Sequence, residues 1–99
     1  MIAIQIVDET GKLLAEFDDP GAIRPVLKDA SIEGTRCLAI IDPWGDTVFN
    51  RMQAMVLQAE LLAWAANGRA ERRRRLEALA EFVGRAGAEP HLYVKFVGD

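Results

Sequence analysis

The chain has 99 residues, 51% apolar and 27% charged, a balance that excludes a disordered segment and allows one small core. Fifteen acidic against twelve basic side chains give a net charge of −3, which excludes a general attraction to phosphate backbones or anionic lipid. A single cysteine, Cys37, excludes an internal disulfide, and with no leader pattern ahead of a cleavage site the expected location is the reducing cytoplasm.

The opening MIAIQIVDETGKLLAEF reads as a β-hairpin turning at Glu9, Thr10, Gly11 and Lys12. Ile2, Ile4 and Ile6 alternate on one face, Leu13, Ala15 and Phe17 share a face of the return strand, and Gly11 takes the position that tolerates positive φ. Asp18 or Asp19, followed by Pro20, marks the start of a short helix, which Pro25 keeps to one or two turns.

Residues 36–42, RCLAIID, are apolar on both faces and are expected to form an interior strand. Asp42-Pro43-Trp44-Gly45 then fits a type I turn, with Asp first, Pro second and Gly fourth. Turn chemistry does not ask for Trp44, whose indole is expected either to fold back on a neighbouring apolar patch or to stand ready for a ligand or partner. Asp46 or Thr47 is expected to cap a helix running to 66, and Asn67-Gly68 ends it. A second helix spans 70–86 and stops at Gly87, and after Pro90 the segment HLYVKFV alternates as a last strand.

These elements define an α+β domain over 1–99. Its sheet is small, mixed or antiparallel, with about four strands: an N-terminal β-hairpin, a central strand and a C-terminal strand. Two main helices pack on one face, in the order β-β-(short α)-β-α-α-β. The most apolar tract, 52–66, contains Gln58 and Glu60 and is too short to span a bilayer, so no membrane role is expected.

The two helices are unequal. On a wheel of about 100° per residue, Val48, Met52, Met55, Val56, Ala59, Leu62, Ala63 and Ala66 of the first fall in one arc, read as the core face. Leu57, Leu61 and Trp64 form a second apolar ridge opposite. The second helix has one stripe, Leu76, Leu79, Ala80, Phe82, Val83 and Ala86, so one apolar surface is left over. Either the segment around Ile23, Val26 and Leu27 covers it, or a second copy of the chain does. The second reading makes Leu57, Leu61 and Trp64, with Arg72 and Arg75 at the rim, the candidate dimer interface.

The arginines of RAERRRR spread about 300° around a helix over four residues, so they form no flat cationic strip, and no interleaved aromatics accompany them. Nucleic-acid binding is not expected. A ligand or partner site would draw on Asp42, Trp44, Asp46 and His91, and a metal or acid–base site on Asp42, Asp46, His91 and Asp99, because Asp42 and Asp46 bracket a turn at a strand's end. No paired metal-ligand spacing, nucleophile elbow, P-loop or dinucleotide fingerprint is present, so neither metal nor other cofactor is expected and no catalytic residue is named. The sequence therefore points to a small protein acting through homodimerisation and protein–protein contact, with a small-ligand site or minor enzyme activity at the 42–46 turn as the alternative.

Overall fold

Alternating apolar residues make β1 (Ala3–Asp8) a one-faced strand, and a tight turn returns it into β2 (Leu13–Glu16). The computed structural model describes residues 2–98. Gly11 takes φ 88°, while the Asp8 carboxylate accepts from the Thr10 and Lys12 amides and from the Thr10 hydroxyl, closing the turn from its own side chain. The pairing shifts register between Ile6 and Val7, so Leu13 lies opposite Val7 while Ala15 lies opposite Ile6. This bulge sends Leu13 to the open side, half exposed, and breaks the shared face expected of Leu13, Ala15 and Phe17.

After β2 the chain crosses the core in short pieces: a 3-10 helix at Pro20–Ile23, the single-turn α1 (Arg24–Leu27), and 3-10 helices at Ala30–Gly34 and Leu38–Ile40. Pro20 opens the first and Pro25 sits in the first turn of α1, as its fixed φ allows. Ile23, Val26, Cys37, Leu38 and Ile41 from these pieces are buried.

Residues 36–42 do not form a strand. The third strand is β3 (Asp46–Phe49), at the sheet edge. The cause is Glu60, whose carboxylate accepts from the Arg36, Cys37 and Leu38 amides at 2.6, 3.1 and 3.0 Å and fixes the start of the 3-10 turn. Asp46 and Thr47 accordingly cap no helix. Asn50 does, at the start of α2 (Arg51–Ala66), through a capping box with Gln53.

The second long helix, α3 (Ala70–Gly87), leads into β4 (Leu92–Val97), and the sheet is antiparallel with order β2-β1-β4-β3. Ile4 and Ile6 face Phe96 and Val94 across the β1–β4 pair, and Phe49 faces Val94 across β3–β4. These side chains point at α2 and α3, which pack on each other and on that face. Phe49 meets Phe96 edge-on at 5.8 Å, and Phe17 meets Phe82 at 5.3 Å. The stripe read for the second helix is its buried face residue for residue.

For α2 the assignment of faces is reversed. Ala54, Leu57, Leu61 and Ala65 are buried, and Trp64 packs partly against the core. Met52, Met55 and Leu62 are 67%, 54% and 45% exposed. Two apolar faces exist, as the pattern requires. The buried one carries Ala54, Leu57, Leu61 and Ala65, and α3 comes close beside it at its glycines, Gly84 against Gln58 and Gly87 against Met55. Val48 belongs to β3 and is half exposed. No helix among the described residues is long and apolar enough to cross a membrane.

Candidate functional site

The turn at 42–45 is built from its own polar groups. The Asp42 carboxylate accepts from the Trp44 amide at 2.9 Å, the Asp42 amide donates to the Thr47 hydroxyl at 2.9 Å, and the Gly45 amide closes on the Asp42 carbonyl. The Gly98 amide donates to the Gly45 carbonyl at 2.9 Å, so the end of β4 passes directly under the turn. These bonds fix the backbone that carries the side chains of the turn. Trp44 is not folded back: it is 77% exposed.

Beside it lies a cleft of about 290 Å³, between α1 and the turn, lined by Ile2, Arg24, Leu27, Lys28, Pro43 and Trp44. Its wall is apolar, and Arg24 and Lys28, four residues apart, bring two cationic groups to it. Among the described residues no carboxylate lines it.

The other residues expected at this site lie elsewhere or are engaged. The Asp42 carboxylate is held by its own turn, and Asp46 lies 3.6 Å from the Lys95 ammonium on the open side of the sheet. His91 precedes β4 at the opposite end of the sheet from Asp46, with Nδ1 2.8 Å from the Glu9 carboxylate. A six-residue strand spans roughly 17–20 Å, so His91 and the 42–46 turn cannot share a ligand. Asp99 lies outside the described residues. No group of three His, Cys, Asp or Glu side chains that could hold a metal occurs among the described residues. Cys37 is buried, and burial, then the nearby Glu60 carboxylate, pushes its thiol pKa up, away from nucleophilic character.

The candidate dimer residues also separate. Leu57 and Leu61 are fully buried within one chain and present nothing to a second. This ridge is therefore core, and the correction follows from the reversal of α2. Arg75 forks onto Asp19, and Arg72 is half-buried, with an Nε that has no hydrogen-bond partner among the described residues. The surface actually left open is the other side of α2, where Met55, Val56, Ala59 and Ala63 border a shallow groove with Arg36 and Glu60 at its edge.

Sequence reasoning missed Arg24, Lys28, Ile2, Leu27 and Pro43 as a group, since a cleft between a one-turn helix and a distant turn has no local pattern. It saw Met55, Ala59 and Leu62 but placed them in the core. A scan against protein-family models and searches of curated proteins and solved structures returned no significant match.

Proposed function

We propose that the chain acts as a homodimer assembled on the outward face of α2, in a reducing cytoplasm and without a cofactor. The observation that carries this is the symmetry of the exposed stripe. Met52, Met55 and Val56 lie seven, four and three residues before Ala59, and Leu62, Ala63 and Ala66 three, four and seven after it, within an arc of about 120°, with Val56 half-buried against its own core and the others exposed.

Two such helices packed antiparallel about a two-fold axis through Ala59 bring Met52 against Ala66, Met55 against Ala63 and Val56 against Leu62 of the other copy. At the Met52–Ala66 and Met55–Ala63 levels large meets small, and Val56 and Leu62 sit nearest the small Ala59 on the axis, where there is room for both. A two-fold contact uses the same patch twice, and this patch maps onto itself. The helix supplies a seam about 24 Å long. A standard interface buries about 800 Å² per partner, so the flanking loop that carries Arg36 adds to the contact in this reading.

Sedimentation equilibrium is the test: the wild type is expected at twice the 10.9 kDa chain mass. Ala59→Glu sets two like charges on the axis and is expected to give monomer with unchanged circular dichroism. Ala59→Cys is expected to oxidise to a covalent dimer, whereas Glu77→Cys, exposed on α3, is not. A monomeric wild type at 0.1 mM or so ends this reading.

A second reading, a small-ligand site at the 42–46 turn, has the cleft beside Trp44 in its favour.

A further inference from the structure

We propose that the cleft between α1 and the 42–45 turn binds a small carboxylic acid with an aromatic or branched apolar body, an inference that rests on the ligand-site reading above and gives it a chemistry. Three observations converge on it. The cleft, about 290 Å³, is at the small end of ligand sites, with room for one ring and a short chain. Its apolar wall comes from Ile2, Leu27, Pro43 and Trp44, so a ligand body gains by leaving water there. Its charged groups are Arg24 and Lys28, with no carboxylate among the described lining residues, in a chain whose net charge is −3. A chain that carries more acid than base has here gathered two cations and, among the described residues, no acid around an apolar hollow.

Trp44 completes the argument. A large aromatic side chain 77% exposed on a rigid turn leaves most of its apolar surface in water, and the turn is fixed from both sides by Asp42 and Gly98. The indole stands at the wall of the cleft, where it covers a bound ring without any movement of the backbone. Arg24 opens the single turn of α1 and Lys28, still in helical conformation, follows its end four residues later, which puts the two donors on one side for the two oxygens of a carboxylate. A neutral apolar ligand would use the wall alone, and a cation would meet two like charges.

The experiment uses the full chain carrying Trp64→Phe, so that Trp44 is the one indole, and titrates it with 4-phenylbutyrate and with its uncharged amide. Fluorescence and amide chemical shifts report binding and its place. The acid is expected to saturate below about 1 mM and to bind at least roughly tenfold more tightly than the amide. Arg24→Gln with Lys28→Gln, both exposed positions, is expected to abolish that preference, leave the amide's affinity unchanged and leave the melting curve intact. Equal binding of acid and amide, unaffected by the double variant, overturns the carboxylate assignment and leaves the ligand site standing. No saturable change at Trp44 with either compound overturns both.

Discussion

Arg75 and Asp19 face each other as a two-bond fork, Nε 2.7 Å from Oδ2 and Nη2 2.8 Å from Oδ1, which ties the entrance of the 20–23 helix to α3. Asp19 stands at the N-cap position, but its carboxylate does not cap; it goes to the guanidinium. Hydrogen bonding to Arg75 holds the Asp19 carboxyl below the usual carboxylate range, against the opposing effect of burial. A carboxyl depressed in the folded state stabilises above its unfolded pKa, about 4, and that contribution is lost as pH falls through the lower folded value. Asp19→Asn is therefore expected to melt about 2–4 °C below wild type at pH 7, a small shift because both side chains are about 40% exposed. The gap closes below pH 4 or so. A gap that persists undiminished at acid pH assigns the loss to packing, not to the ion pair.

Adjacent leucines of α2 separate its two faces. Leu61 is fully buried and Leu62 is 45% exposed. Leu61→Ala opens a cavity in the core and is expected to cost about 2–5 kcal/mol in urea unfolding. Leu62→Ala, measured at a concentration where the chain is monomeric, is expected to change stability by less than about 0.5 kcal/mol while weakening association. Comparable losses from the two would contradict the orientation of the helix.

The pattern of α3 was fully legible because its apolar residues occupy one side and its charges the other, leaving one way to pack it. The hairpin was legible for a similar reason: Gly11 at φ 88° is the one residue type that takes the turn cheaply. In α2 apolar residues surround the axis, so counting them favours the more populated face, whereas packing buries the side that carries Ala54, Leu57, Leu61 and Ala65. The third strand was hidden differently. Residues 36–42 are apolar enough for a strand, but Glu60, more than twenty residues later, binds three of their amides, and no local pattern carries that contact. Two signals were nonetheless present: Thr47, Val48 and Phe49 are strand formers, and Asn50 with Gln53 spells a capping box. The cleft beside Trp44 depends on the crossing of three distant segments, and of its lining only Trp44 stood out in the sequence.

Gly98 sets the height of the turn over β4. A Cβ at this position would fall on the backbone of Gly45 and Trp44, with no flexible side chain to give way. Gly98→Ala is expected to push the turn outward, break the Gly98–Gly45 hydrogen bond and cost about 1–3 kcal/mol. The Trp44 emission is expected to change with it. An alanine variant with wild-type stability and an unchanged Trp44 signal would show that the turn floats free of the strand.

Glu60 and Cys37 give a pair of linked outcomes. The carboxylate holds the amides of Arg36, Cys37 and Leu38, so Glu60→Ala leaves three donors without their acceptor, part-buried at Cys37 and Leu38, and is expected to cost about 2 kcal/mol. Glu60→Gln keeps one acceptor oxygen but loses the charge, and about half that cost is expected. Burial first, and Glu60 second, raises the Cys37 thiol pKa, with Arg36 opposing. A thiol kept neutral in the fold stabilises below its unfolded pKa, about 8.5, and loses that contribution as pH climbs through the raised folded value. Wild-type stability is therefore expected to fall above about pH 9 more steeply than that of Cys37→Ala. A disulfide reagent at pH 8 is expected to label native Cys37 far more slowly than the unfolded chain, and Glu60→Ala to accelerate it by loosening the 38–40 turn. Rapid labelling of the native wild type would place the thiol at the surface and remove Glu60 as the lock on that segment.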